Sequence, residues 1–307
     1  MLRRAITALG CAVLMSGLAV APAGAIVGGQ VAPPGRWPWL AALIDKEAPD
    51  DFLGQFCGGA VISPRRVLTA AHCVYDASPR QITVLLGRTR LTGSGGQHVA
   101  VRAIHLDPQW PREFGRDAAV LTLAAPAGVP PLALARYGQA AAWAPGATAW
   151  AMGWGALNGD YSPGGQIYFA DRLRQAAQPI VSDDACENVY GGGNAVMTYR
   201  RAWSLCAGQL AAGGPGTCWG DSGGPLVVGS DGAWLEVGIV FGGDGCASPG
   251  YYDMYTRADQ VRAFALGTLT HKGHGARRAG ASAHARLRKG SGRLPLGNRR
   301  LFAARRG

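Results

Sequence analysis

A ladder of short apolar runs, each cut off by turn residues, does most to limit what this chain can fold into. The first series is Leu40 to Ile44, Ala60 to Ile62, Arg66 to Thr69, Gln81 to Leu86, Val99 to Val101 and Ala119 to Leu123. The second is Thr148 to Met152, Arg172 to Ala176, Leu226 to Val228, Leu235 to Phe241 and Tyr251 to Thr256. Gly, Pro, Asp and Ser separate the runs, and such spacing argues for antiparallel sheets closed into a sandwich or barrel. Alternating strands and helices would need long amphipathic segments between the runs. The stretch from Ala124 to Pro145, rich in Ala and Pro, reads as a connector between the two series. One helix is expected: Val261, Phe264, Ala265 and Leu269 recur at helical spacing, so a terminal helix starts at about Arg257.

The two ends read differently from this body. Arg3 and Arg4 precede an apolar run from Ala5 to Val20, and Ala23-Gly24-Ala25 is a small-residue cleavage site, so residues 1–25 read as a secretory signal. The alternative, an uncleaved anchor, needs a longer apolar stretch. Secretion to an extracellular or periplasmic space follows. Cys11 would leave with the signal, and the six remaining cysteines suit three disulfides in an oxidising compartment, with pairing undetermined by number alone. The formal charge of +11 invites a nucleic-acid reading, but eleven of the 30 Lys and Arg lie beyond residue 270 among no acids. The first 270 residues hold 19 basic and 19 acidic side chains and therefore carry no net charge. Residues 26–270 are expected to be the folded domain, without a specific nucleic-acid partner. Residues 271–307 read as an unstructured basic extension, either simply solvated or in weak contact with polyanions or the cell envelope.

The chemistry centres on Gly220-Asp221-Ser222-Gly223-Gly224-Pro225. A serine in a glycine-rich turn presents its hydroxyl on thin backbone, where a substrate carbonyl and main-chain N–H groups can converge. Gly-x-Ser-x-Gly also occurs at the nucleophile of α/β-hydrolases, which place their acid and then their histidine after the serine. Here the histidines after Ser222 are His271, His274 and His284 in the tail. His72, in Thr69-Ala70-Ala71-His72-Cys73, and Asp117, ahead of the Ala119 run, both precede the serine. Asp117 can hold one imidazole nitrogen of His72 while Ser222 gives its proton to the other.

In these blocks the chain resembles trypsin/chymotrypsin-like serine endopeptidases. Ile26-Val27-Gly28-Gly29, Thr69 to Cys73, Asp117 to Leu121 and Gly220 to Pro225 match in the family's order, with Gly153-Trp154-Gly155 and Gly238-Ile239-Val240 as further landmarks. The resemblance runs from Ile26 to about Leu269. It implies an all-β fold of two six-stranded antiparallel barrels with a short C-terminal helix. It further implies catalysis by His72, Asp117 and Ser222, an oxyanion hole from the amides of Gly220 and Ser222, and pairing of the Ile26 amine with Asp221. Signal cleavage abutting Ile26 would itself release that amine. The implied disulfides are Cys57–Cys73, Cys186–Cys206 and Cys218–Cys246. Another bridge frequent in the family would join positions matching Ala149 and Val228, both non-cysteine here. The pattern implies polypeptide substrates, protein inhibitors as possible partners and a monomer. Neither a cofactor nor a metal is expected: Gly87 to Gln97 lacks the carboxylates of a calcium loop, and no Cys-x-x-Cys or His-x-x-x-His spacing occurs.

Specificity departs from the resemblance. Six residues before Ser222, where trypsin has an aspartate, stands Gly216, with Thr217 and Trp219 following on the pocket wall. The segment ending at Tyr255 places Asp253 on another wall, where its carboxylate would meet a cationic side chain. A basic or mixed preference is therefore expected. The alternative turns Asp253 into an internal network and leaves a pocket for large apolar residues. Phe241-Gly242-Gly243 replaces Ser-Trp-Gly on the substrate strand: Gly243 keeps its backbone for an extended peptide, while Gly242 is expected to open the wall. An inactive, partner-binding relative is the reading from another class, disfavoured by the complete set His72, Asp117 and Ser222.

Overall fold

The computed structural model describes residues 26–159, 165–191, 197–210, 214–230 and 232–267. The expected signal (1–25) and basic tail (271–307) lie outside the described residues. The strands are β1 (Gln30–Val31), β2 (Leu40–Asp45), β3 (Gln55–Ser63), β4 (Arg66–Thr69), β5 (Ile82–Leu86), β6 (Gln97–Leu106), β7 (Ala119–Leu123), β8 (Ala133–Leu134), β9 (Thr148–Gly153), β10 (Arg174–Pro179), β11 (Ser204–Ala207), β12 (Pro225–Ser230), β13 (Ala233–Gly242) and β14 (Asp253–Arg257). The α-helices are α1 (Asp51–Gly54), α2 (Asp183–Tyr190) and α3 (Ala258–Ala265).

The first series of runs closes on itself in the order β2-β3-β4-β7-β6-β5. Period-two patterning decides which side chains fill this barrel. On β6, Val99 and Val101 point inward while His98, Ala100 and Arg102 face out. Leu43, Leu68, Leu85 and Leu121 are among the side chains with no more than 1% of their surface exposed.

The second series, joined by β1, β8 and β11, which no run foretold, forms an eight-stranded sheet in the order β1-β10-β9-β12-β13-β14-β11, with β8 pairing in parallel to β13. Beyond the strand ends, an Ile180–Ala207 bridge and the bonds Val181 N to Cys206 O (2.9 Å) and Gly208 N to Pro179 O (3.0 Å) link the β10 and β11 margins. Ala149 and Val228 stand directly opposite one another in the β9–β12 pair, so two small apolar residues occupy the cross-strand site.

Helix α3 starts one residue after the expected position and buries Ala258, Val261 and Ala265, packing on β13 and β8. Helix α2 was not expected. Its start follows ordinary capping chemistry, since the Ala185 amide donates to Ser182 Oγ at 3.2 Å and Asp183 and Asp184 favour the first turn. The connector carries β8 and a tight 3-10 turn over Ala140–Trp143.

The two units meet through aromatic rings and the serine turn. The Trp37 ring lies 4.8 Å from that of Trp234 and 6.3 Å from that of Trp150, and Trp37 Nε1 donates to Gln175 Oε1 at 2.8 Å. Nearer the serine, a Cβ at Gly58 on β3 would lie 3.0 Å from Gly224 Cα. Glycine here lets backbone from the two units touch. Three disulfides join Cys57 to Cys73, Cys186 to Cys206 and Cys218 to Cys246.

Candidate active site

Strand register brings His72 and Asp117 together. β4 and β7 are antiparallel neighbours with Thr69 opposite Ala119, so residues just after β4 and just before β7 emerge at the same end of the barrel. His72 occupies the 3-10 turn Ala71–Cys73, and Asp117 is 1% exposed beneath it. The carboxylate grips the histidine twice: Oδ1 accepts the His72 amide at 2.8 Å and Oδ2 accepts Nδ1–H. Thr256 Oγ1 in turn accepts the Asp117 amide at 3.1 Å and donates to Gly115 O at 2.8 Å, fixing the loop from the second unit. Burial alone would lower the His72 pKa; the charge and hydrogen bond of Asp117 outweigh it and hold the imidazole above its ordinary value. Such a ring has Nδ1 committed to the carboxylate and Nε2 available for a proton.

The serine turn is shaped by two residues in the left-handed region, Gly220 (φ 91°) and Gly223 (φ 79°). At Gly223 a Cβ would also lie 2.2 Å from Thr69 Oγ1 and 2.7 Å from Gly58 O. The amides of Asp221, Gly223 and Gly224 donate to Cys218 O, Val240 O and Asp221 O, each at 2.9 Å. Among the described residues, those of Gly220 and Ser222 donate to no backbone carbonyl. Two donors thus stay available beside the serine hydroxyl.

Ser222 O accepts the Gly58 amide at 2.8 Å and lies 3.6 Å from Cys73 Sγ, which is 3.8 Å from His72 Nε2. Serine and histidine therefore flank the same disulfide. Among the described residues no hydrogen bond links Ser222 Oγ to His72 Nε2; such bonds are often long before substrate binds. Cys57, Cys73 and His72 gather potential metal donors within 4.8 Å, but their sulfurs are joined as a disulfide and offer no thiolates.

Asp221 points away from the serine, into a glycine cradle. Its Oδ1 accepts the Gly155 amide at 2.8 Å and its Oδ2 the Cys218 amide at 3.0 Å. A Cβ at Gly153 or Gly155 would lie 2.2 Å or 2.4 Å from the carboxyl group, which explains Gly153-Trp154-Gly155. Ile26 is fully buried among apolar residues of the second unit, and Val27 bridges to Gly216, whose amide donates to Val27 O at 2.9 Å. The N-terminal segment is thereby attached to the strand expected at the pocket base.

Asp253 begins β14, 7% exposed. Its Oδ2 accepts from Thr217 N at 2.6 Å and Gln178 Nε2 at 2.7 Å, with Tyr255 OH, which donates to Gln178 Oε1, 3.4 Å away. Its Oδ1 faces Gly216, where an added Cβ would come within 3.1 Å of it. Burial outweighs the hydrogen bonding of Thr217, Gln178 and Tyr255 and pushes the Asp253 carboxyl up to about 6. Trp219 packs with Ala156 and the Cys218–Cys246 disulfide, and a Cβ at Gly243 would lie 3.3 Å from Tyr252 O, a tight contact. The network around Asp253 set against a pocket role is present, with Thr217 N and Gln178 Nε2 on Oδ2, while Oδ1 lies beside Gly216.

Four contributors were missed in the sequence. Gln55, fully buried on β3, donates from Nε2 to Gly220 O at 2.8 Å and to Cys57 O at 3.1 Å, steadying the peptide between Gly220 and Asp221. Gln178 bridges Asp253 and Pro215 O, Thr256 supports the Asp117 loop, and Met197 covers Gly242. Gln55 and Gln178 lie outside the apolar runs, so no sequence signal marked them.

Comparisons with known proteins agree with this geometry. The family model described as Trypsin matches residues 26–265. A trypsin of Saccharopolyspora erythraea is 37% identical over 233 residues, covering 76% of this chain and 92% of the relative. Human serine protease 56 is 37% identical over 243 residues, and the match covers 76% of this chain and 37% of that longer protein.

Proposed function

The chain belongs to the trypsin family of serine endopeptidases, and from that premise we propose that Ser222 attacks the peptide carbonyl with His72 as general base and Asp117 holding the imidazole. His72 returns the proton to the leaving amine, and water then releases the acyl group from Ser222 by the same route. The amides of Gly220 and Ser222 receive the oxyanion. A lost donor of this kind typically costs about 2.7–4 kcal/mol of barrier. The observation that carries the reading is the two-point grip of Asp117 on His72, which sets the ring's tautomer and orientation in one contact. Ser222→Ala tests it: the variant should fold and lose peptide hydrolysis, and hydrolysis at the wild-type rate would refute the assignment.

The rest of the reading extends from the same site. The β10-β9-β12-β13-β14-β11 ring, with its Ile180–Ala207 bridge, is read as the second six-stranded barrel. Residues 1–25 are read as a signal whose removal exports the enzyme and frees the Ile26 amine for the buried Asp221 carboxylate; a buried ammonium requires such a partner. The basic tail is read as a separate extension. Substrates are polypeptides, with a cationic side chain preferred before the scissile bond. Asp253 Oδ1, facing Gly216, supports that preference.

A further inference from the structure

Asp117 reaches His72 from a loop that closes on itself. The Asp107 amide donates to Ala118 O at 2.9 Å, so residues 107–118 leave the barrel after β6 and return at β7, with Asp117 beside the point of return. The Asp107 side chain is buried at the root of this loop, where its Oδ1 accepts the Gln109 amide at 2.9 Å and Arg116 Nε at 3.0 Å. Among the described residues Asp107 Oδ2 accepts no hydrogen bond. Arg116 is thus the cation that balances a buried carboxylate, which is costly to leave unpaired.

The same guanidinium lies over the second unit. Arg116 Cζ is 4.6 Å from the centroid of the Trp203 ring, within the range of a cation–π contact. Trp203 is fixed just ahead of β11: its amide donates to Arg200 O at 2.9 Å and its carbonyl accepts the Arg257 amide at 2.7 Å. Ser204 follows it, opposite Thr256 in the β11–β14 pair. A Cβ at Gly115 would lie 2.3 Å from Ser204 Oγ, and Thr256 Oγ1 accepts the Asp117 amide. Gly115, Arg116 and Asp117 therefore all rest on the second unit, while the histidine they serve stands on the first. Arg116 reaches both units at once, Asp107 in the first and Trp203 in the second.

We propose that Arg116 is a positioning residue for peptide hydrolysis: clasped between Asp107 and Trp203, it keeps the Asp117 carboxylate in its two-point grip on His72 and ties that grip to the alignment of the two units. This inference rests on the endopeptidase reading of the site.

Arg116→Met alone would strand the buried Asp107 charge, so the test combines Asp107→Asn with Arg116→Met, which removes both charges. The substrate is a peptide with Leu before the scissile bond, so that ionisation of Asp253 does not enter. Rates are taken per active site titratable by a serine reagent, and kcat/KM is followed through its acid limb, which reports protonation of His72. Asp117 raises the His72 pKa, so a loosened grip moves that limb to lower pH. The double variant should lose roughly tenfold to a hundredfold in kcat, the scale of a misplacement of about 1 Å. Its KM should stay near that of the wild type, and its acid limb should be displaced downwards. Trp203→Leu keeps the ion pair but removes the ring, and should shift the limb the same way by less. Arg116→Lys, which keeps a cation beside both partners, should stay closer to the wild type than the double variant. A titratable double variant whose acid limb remains at the wild-type pH overturns this inference alone, whatever its kcat. Trp203→Leu gives the deciding readout should the double variant yield no titratable enzyme. A wild-type protein that reacts with no serine reagent overturns the endopeptidase reading, and this inference with it.

Discussion

Gln178 Nε2 donates to Asp253 Oδ2 at 2.7 Å, and with Thr217 N it engages that oxygen while Oδ1 faces Gly216. The carboxyl is thus fixed in place, and in the proposed pocket Oδ1 receives the ligand cation. Its pKa, raised to about 6 by burial, divides the working range in two. On the proposed pocket role, Asp253 is charged above that value and favours Lys or Arg before the scissile bond; below it the neutral acid does not. The kcat/KM ratio for an Arg substrate over a Leu substrate should therefore rise between about pH 5 and about pH 8. His72 titration affects both substrates and cancels in the ratio. Asp253→Asn should flatten the profile, and a pH-independent ratio in the wild type would contradict the pocket assignment.

Glu236 on β13 lies opposite Val227 and Leu134, wholly buried, with neither carboxyl oxygen hydrogen-bonded among the described residues. Burial raises its pKa well above the usual glutamate range. A folded-state pKa above the unfolded one gives a contribution fully present below the unfolded pKa and lost as pH rises towards the folded value. Glu236→Gln removes that loss. The Tm of the variant relative to wild type should increase from about pH 5 to about pH 8, by the equivalent of at most about 1.4 kcal/mol for each pH unit between the unfolded and the folded pKa. A Tm difference independent of pH would show that Glu236 does not enter the fold as the neutral acid.

Asp221 sits in a cradle of Gly153, Gly155 and the Cys218 amide, and Val27 is bridged to Gly216. If signal removal provides the partner of Asp221, secreted protein should begin at Ile26 and be active without a further cut. N-terminal sequencing decides this. A start at Gly24 or earlier in active material would contradict direct activation.

The residues whose chemistry is fixed by type were legible in the sequence. His72, Asp117 and Ser222 stand in blocks whose order alone separated this fold from the α/β-hydrolases. The apolar runs located the six strands of the first barrel and β9, β10, β12, β13 and β14 of the second unit, because side-chain period two survives in sequence whatever the pairing, but β1, β8 and β11 are too short to stand out as runs. What stayed hidden depends on contacts between distant segments. Met197 over Gly242, Gln55 beneath Gly220 and Gln178 against Asp253 are set by register across sheets, and no local pattern encodes them. Helix α2 was missed for another reason: its Ser182-Asp183-Asp184 start is a legible cap, but only Cys186 and Tyr190 are buried in its short span, so its apolar period is weak.

The central claim is that Ser222 is a nucleophile activated by the His72–Asp117 pair. Its most direct test is labelling of the purified protein with a fluorophosphonate, followed by mass mapping of the adduct. The account predicts stoichiometric modification at Ser222, slowed by orders of magnitude in His72→Ala, where the general base is missing. A folded protein that takes up no label, or takes it up equally well without His72, would contradict it.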